Sequence, residues 1–473
     1  MAENIKLAVL GGGPGGYAAA FYAADLGLDV TLINLEDNPG GVCLYRGCIP
    51  SKALLHISKL ISEAEESSKW GVTFGKPKIE LEKLREFKES VVNKMTGGLG
   101  ILSKQRKVNY VQGRGKFLNS KSIHVDLVTG GSQEIAFDYA IIATGSVPVK
   151  VPGVSIDSEH VWDSTGALEL SEIPKKLLVV GGGYIGLELG SVYASIGSKV
   201  SVVEMMPSLL PGADKDMVAV LSKSITPKFE NVYLKTKVVS VEETKKGKLK
   251  VTFEGEKVEE KVQEFDKILV SVGRKPVTQG LGLENTSVKI GDKGFIETDA
   301  QLRTNDKNIF AIGDIVGQPM LAHKASAEGK VAVDVIAGHK AVFEPNAIPA
   351  VVFTDPELAW AGLTELEAKE RGIKVSVAKF PWGASGRATT IGRNDGMTKL
   401  IIDPETERIL GMGIVGAGAG EMIAEGVLAV EMSALAKDVA MSIHPHPTLS
   451  ETVMESAEAF FGEATHIYRP KRK

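Results

Sequence analysis

The sequence predicts a multidomain α/β protein built on parallel sheets, on three observations. First, a buried strand run, Leu7-Ala8-Val9-Leu10, leads into Gly11-Gly12-Gly13-Pro14-Gly15-Gly16, then an Ala-rich helix from about Tyr17 to Leu26 and a second strand, Val30-Thr31-Leu32-Ile33. Second, the same pattern returns 170 residues later without a gap. Leu177-Leu178-Val179-Val180 precedes Gly181-Gly182-Gly183-Tyr184-Ile185-Gly186, a helix runs to Ile196-Gly197, and Val200-Ser201-Val202-Val203-Glu204 closes the unit. A whole βαβ unit is therefore duplicated. Third, the 473 residues include 52 glycines, about 11% against a usual value near 7%. The length itself suggests about three domains.

The other elements follow in order. Glu80 to Lys107 has the charged, amphipathic texture of a helix. Strand-like segments run from Val108 through Ile123-His124-Val125 to Ile141-Ile142-Ala143-Thr144-Gly145, and their counterparts run from Val238 through Val251 to Ile268-Leu269-Val270-Ser271-Val272-Gly273. Ile309-Phe310-Ala311-Ile312 is a further buried strand ending in Gly313-Asp314. From about Ile348 the texture changes, with strands near Val351 to Phe353 and Leu400 to Ile402 among helices. The basic tail at 469–473 reads as a solvated terminus.

Composition excludes several classes. A formal net charge of −4 gives no electrostatic footprint for nucleic acid or an anionic membrane. Hydrophobic residues at 43% and charged residues at 24% exclude a largely disordered chain. No apolar run of about 18 residues occurs, so no transmembrane helix is expected. The first residues lack a charged segment followed by an apolar one and run straight into a strand, so a cytoplasmic protein is expected.

Both glycine turns fit Gly-x-Gly-x-x-Gly: Gly11, Gly13 and Gly16, then Gly181, Gly183 and Gly186. The first glycine permits a tight turn, the second lets backbone approach a pyrophosphate, and the third packs helix on strand. The helix N-terminus supplies amide donors and a partial positive charge. Two Rossmann-like sites in one chain point to a flavin that exchanges hydride with a nicotinamide. In the second unit Glu204 stands 21 residues past the middle glycine, where a carboxylate accepts the ribose 2′-hydroxyl of NAD and repels the 2′-phosphate of NADP. The equivalent position in the first unit is Asn34, with Glu36 two residues on. Asparagine can bond a ribose diol but forgoes the charge-assisted bond.

The two cysteines lie in Gly41-Val42-Cys43-Leu44-Tyr45-Arg46-Gly47-Cys48-Ile49-Pro50-Ser51-Lys52. A structural staple over so short a loop in a reducing compartment would add little. Two isolated cysteines are too few for a metal. A redox-active pair remains. Pro50 opens a helix, which places Cys48 near a helix N-terminus where the dipole favours thiolate. Thiol exchange also needs a base. His446, fixed between prolines in His444-Pro445-His446-Pro447-Thr448-Leu449-Ser450-Glu451 with a carboxylate nearby, suits that task.

These strings, together with Ala143-Thr144-Gly145-Ser146 and Phe310-Ala311-Ile312-Gly313-Asp314, resemble the dihydrolipoamide dehydrogenases over essentially the whole chain. Those enzymes are the flavoproteins of the 2-oxo acid dehydrogenase complexes, within the disulfide oxidoreductases. The resemblance implies an FAD domain at 1–150 that resumes at 275–347, an NAD domain at 151–274 and a dimerisation domain at 348–473. It implies the oxidation of protein-bound dihydrolipoamide by NAD⁺ through FAD, in a homodimer to which the lipoyl group comes in trans. Cys43 would exchange with substrate sulfur, Cys48 would face the flavin, and Lys52 would lie near flavin N5 and pair with Glu188. Gly115, Ala143, Thr144, Gly145, Ser146, Asp314 and Ala322 would line FAD, and Gly182, Gly183, Gly186, Glu204, Val238 and Gly273 would line NAD. His446, oriented by Glu451, would reach the cysteines from the second subunit. No metal is expected. Two departures stand out: Asn34 in place of the family's usual glutamate, and Tyr45-Arg46 in place of Asn-Val between the cysteines. Glutathione reductase is the nearest rival, but it usually runs on NADPH, against which Glu204 speaks. Mercuric reductase would want a further C-terminal cysteine pair. A flavin-binding protein without turnover would not need Cys43, Cys48 and His446.

Overall fold

The computed structural model describes residues 5–468, so the basic tail at 469–473 and the first four residues lie outside the described residues. Strand β1 (Lys6–Leu10), helix α1 (Pro14–Asp25) and strand β2 (Asp29–Asn34) form the first unit, with β1 and β2 parallel. Helix α1 begins at Pro14, three residues earlier than the Ala-rich stretch suggests. Gly13 caps it, and Pro14 at the first turn lacks only an N–H that no helix carbonyl could accept.

The first sheet has seven strands. Ile309–Ala311, Tyr139–Ile142, β1, β2 and Asn109–Asn119 lie side by side in parallel, and Ser122–Leu127 and Ser132–Ala136 follow antiparallel. Because Ile309–Ala311 pairs with Tyr139–Ile142, the chain returns to this sheet after completing the second unit. The second sheet has five parallel strands, in the order Asn231–Leu234, Lys199–Glu204, Lys176–Val180, Lys267–Val270 and Val161–Trp162. The strands buried on both faces are the continuous apolar runs, Leu177, Leu178 and Val179 among them at 0% exposure. A last sheet of five antiparallel strands (350–416) carries helices Ala419–Glu431 and Glu451–Phe461.

The duplication persists down to single hydrogen bonds. Gly11 N donates to Ile33 O as Gly181 N does to Val203 O, both at 2.9 Å. Gly40 N bonds Gly12 O as Leu210 N bonds Gly182 O, each pair again 170 residues apart. The glycines are required by space. A Cβ on Gly11, at φ +112°, would stand 2.3 Å from Ala143 O, and one on Gly16 would stand 1.8 Å from Gly11 O.

Two helices carry the cysteines: α2 (Gly41–Arg46) and α3 (Cys48–Glu66). Helix α2 is not legible in the sequence, since its six residues open on glycine and hold only Leu44 buried. What sets it is tertiary contact: Gly41, at φ +57°, lies so close to Gly13 that a Cβ would fall 2.5 Å from its Cα. Helix α3 starts at Cys48 and not at Pro50. The proline occupies the third helical position, where its missing N–H still costs no helix bond.

Candidate active site

A cavity of about 420 Å³ opens at the carboxyl ends of β1 and β2, bounded by the first glycine turn. Ligands of doubly wound sheets bind at such strand ends. Its wall includes Gly11, Gly13, Asn34, Cys43, Cys48, Lys52, Ala143, Thr144, Gly145, Ser146, Glu188, Asp314 and Ala322. Gly16 and Gly115 lie behind the wall. Gly16 serves the contact of α1 with the turn, and a side chain at Gly115 would meet Leu10 at 2.7 Å and Ile123 at 3.1 Å, so sheet packing accounts for both glycines.

The donors suit a diphosphate-bearing dinucleotide. A Cβ on Gly13 would meet nothing within 4 Å, so backbone at the start of α1 is open to a ligand. Helix Ala322–Ile336 likewise opens with Ala322 in the wall. Between these ends, Arg274 Nε donates to Ser146 Oγ at 2.7 Å and Arg274 Nη2 to Ser146 O at 2.6 Å, while Ser146 Oγ donates to Asp314. Thr144 Oγ1 donates to Val277 O at 2.8 Å. The reading of the sequence missed Arg274 and Tyr184, both in the wall. The signal for Arg274 was a cation directly after the strand-ending Gly273.

The sulfur chemistry sits in the same wall. Cys48 takes the first position of α3, and its exposure is into the cavity that it lines. The Cys43 thiol donates a hydrogen bond to the Cys48 sulfur, which brings the Cys48 thiol down to about 7, with help from the Lys52 ammonium and against the desolvation that opposes ionisation. The same hydrogen bond, with burial, pushes the Cys43 thiol far up. Lys52 Nζ lies 2.8 Å from Glu188 Oε2 and 4.5 Å from the centre of the Phe353 ring. Glu188, 3% exposed, also accepts from Phe353 N at 2.9 Å, so the last domain holds the carboxylate that holds the lysine.

The second unit repeats the turn without the cysteines. Glu204 Oε2 accepts from Gly182 N at 2.7 Å and Oε1 from Met206 N at 2.8 Å. Both oxygens keep lone pairs for ribose hydroxyls. Gly183 faces open space and Gly273 is exposed with φ +128°, whereas Val238 is packed into the core below, 7% exposed.

His446 Nδ1 lies 2.9 Å from Glu451 Oε1, and Glu451 Oε2 accepts from Thr448 N at 2.8 Å. Burial opposes ionisation of Glu451, but the Thr448 amide and the His446 ring hold its carboxyl below the usual range. The imidazole is 74% exposed, and neither residue lines the cysteine cavity within the chain. Among the described residues, one carboxylate cluster has metal-ligand spacing, Asp214, Asp216 and Glu365. The Lys399 ammonium already lies among these groups, at 2.6, 2.8 and 2.7 Å, and ties helix Lys215–Ile225 to the last sheet. No described helix is long and apolar enough to cross a membrane.

Two dinucleotide turns, one beside a polarised cysteine pair, define a flavin-dependent disulfide oxidoreductase. The model of the pyridine nucleotide-disulphide oxidoreductases matches residues 5–329 and that of their dimerisation domain matches residues 348–457, and the chain belongs to this family. It is 50% identical to the dihydrolipoyl dehydrogenase of Vibrio cholerae over 475 aligned positions, covering 100% of this chain and 99% of that protein. It is 46% identical to the dihydrolipoyl dehydrogenase of Bacillus subtilis, covering 98% and 97%. Among solved structures, LpdA of Mycobacterium tuberculosis is similar at TM-score 0.89 and 26% identity, covering 96% of this chain and 99% of that one. A flavoprotein disulfide reductase of Escherichia coli induced by HOCl is similar at TM-score 0.84 and 27% identity, covering 96% and 99%.

Proposed function

We propose that this protein oxidises dihydrolipoamide, presented by the acyltransferases of 2-oxo acid dehydrogenase complexes, to lipoamide with NAD⁺ as acceptor, yielding NADH and one proton. The observation that carries the reading is the placement of Cys43 and Cys48 together in the wall of the first dinucleotide cavity, beside the Lys52–Glu188 ion pair. Full-length relatives named dihydrolipoyl dehydrogenase support it.

In the oxidised enzyme Cys43 and Cys48 form a disulfide. His446 takes the proton of one substrate thiol, and the resulting thiolate attacks Cys43 Sγ. The Cys43–Cys48 bond breaks and Cys48 departs as thiolate, the better leaving group because its thiol is the stronger acid. The second substrate thiol gives its proton to solvent, and its thiolate attacks the substrate sulfur bound to Cys43, breaking the mixed disulfide. Lipoamide leaves, and Cys43 takes the proton that His446 held. The dithiol so formed keeps one proton, on Cys43, and leaves Cys48 as thiolate, the direction in which the two thiols are shifted. Bound at the first turn, the flavin supplies the conversion of the dithiol's electron pair into a hydride for NAD⁺. Lys52 places a cation beside Cys48, and Glu188 fixes that cation.

Each histidine serves the other subunit of a homodimer, formed through the C-terminal domain. His446 points outward and Glu451 sets its ring, so a two-fold axis would bring it to the partner's cysteines.

The reading is tested by NADH formation from dihydrolipoamide and NAD⁺, set against glutathione reduction with NADPH. Turnover of glutathione in preference would overturn it. Glu204 sets the nicotinamide preference. Glu204→Ala is expected to lower kcat/KM for NAD⁺ by about 10-fold or more, the worth of a charged hydrogen bond. Equal use of NADP⁺ by the parent enzyme would show that Glu204 does not discriminate.

A further inference from the structure

Asn34 and the Tyr45-Arg46 pair are drawn into one hydrogen-bonded corner of the structure. Asn34 occupies the position that Glu204 has in the second unit, and it keeps the same backbone bond: Gly12 N donates to Asn34 Oδ1 at 3.3 Å as Gly182 N does to Glu204. What it lacks is the charge. Glu36, two residues on, lies in the wall of the same cavity, and its Oε1 is ion-paired with Arg46 Nη2. Arg46 also lines the cavity and ends α2, two residues before Cys48.

The surrounding bonds hold this corner in place. Tyr110 OH donates to Glu36 O at 2.7 Å and accepts from Asn34 Nδ2 at 3.2 Å. Tyr45 OH bridges Asn38, accepting from its N at 3.2 Å and donating to its O at 3.1 Å. In the second unit the acidic group at the strand end receives only backbone amides. In the first it is displaced by two residues and neutralised by a cation.

We infer that Arg46 is a cofactor-holding residue. Glu36 positions its guanidinium so that the remaining N–H groups face the adenosine half of the flavin dinucleotide, its ribose and phosphates. The electrostatics favour this. FAD carries two phosphate charges, and a bare carboxylate in the same wall would repel them. Asparagine at 34 removes one negative charge, and the Glu36–Arg46 pair adds none while keeping five donors in a planar fork, one of them on Glu36. Since the pair joins the end of β2 to the helix that bears Cys43, flavin retention and the order of the cysteine segment share one contact. The inference rests on the proposed function only in taking FAD as the ligand of the first turn.

The experiment follows release of FAD from the holoenzyme after dilution, by the rise in flavin fluorescence, in the parent, Arg46→Ala, Arg46→Lys and Glu36→Gln proteins at low and high salt. Arg46→Ala is expected to release FAD about 10-fold or more faster, the scale of a lost charged hydrogen bond. Release from the parent should quicken with salt and that from Arg46→Ala should not, because screening acts on the charge that was removed. Arg46→Lys should recover part of the loss, and Glu36→Gln should fall between the parent and Arg46→Ala. Parent-like release from Arg46→Ala would overturn the inference. So would faster release with the parent's salt response, since that marks a packing defect. A parent protein that binds no FAD would remove both this inference and the proposed function, whereas either of the other failures removes the inference alone.

Discussion

The Cys43→Ser protein is expected to bind flavin but to lose turnover of dihydrolipoamide by about 10³-fold or more, the scale for removing a covalent nucleophile. It should also show a new long-wavelength absorption band. The band arises because Cys48, the sulfur in the cavity wall at the start of α3, is left as a thiolate facing the flavin side. Cys48→Ser is expected to lose turnover as severely and to show no such band. The opposite pattern would invert the roles of the two sulfurs. In the reduced parent enzyme the band should fade as the pH falls through about 7, the value at which the Cys48 thiolate takes up its proton. Cys43→Ala should move that transition upward, because the hydrogen bond from Cys43 is the largest contribution holding Cys48 down.

His446→Gln is expected to lower turnover by about 10²–10⁴-fold, the usual range for a lost general base, with flavin content unchanged. Its proposed place in the partner's site makes a sharper expectation. Mixing the inactive Cys43→Ser/Cys48→Ser and His446→Gln proteins under conditions of subunit exchange gives mixed dimers. In each of these, one site carries both lesions and the other carries none. At equal mixing about a quarter of parental activity should return, half the dimers being mixed and half their sites intact. If base and cysteines came from one chain, every site would keep a lesion. Exchange demonstrated by mass, without recovered activity, would contradict the shared site.

Much of this was legible because it depends on local chemistry. The two glycine turns appear in the sequence as spacing, and the structure gives them the same hydrogen bonds 170 residues apart. The parallel strands were legible as apolar runs. Helix α2 was not, because its backbone is set by Gly41 against Gly13, a contact made only once β1, α1 and the cysteine segment are assembled. Pro50 misplaced the start of α3 by two residues, since proline is tolerated anywhere in the first turn and not only at its first position. The Arg274–Ser146–Asp314 chain joins residues up to 168 apart in sequence, and no periodicity encodes such a meeting. Arg46 was visible as a departure and Glu36 only as the carboxylate two residues past Asn34, but their pairing needed the fold.

In the proposed reaction electrons enter as a dithiol at Cys43 and leave as hydride to NAD⁺ bound by the second unit. The most direct measurement mixes oxidised holoenzyme with dihydrolipoamide in the absence of oxygen, follows the flavin spectrum and titrates thiols, then adds NAD⁺. Two new protein thiols per chain are expected, on Cys43 and Cys48, with the long-wavelength band appearing as they form. One NADH per chain should follow when NAD⁺ is added. Reduction of the flavin with Cys43 and Cys48 still joined, or reduction by glutathione and not by dihydrolipoamide, would contradict it.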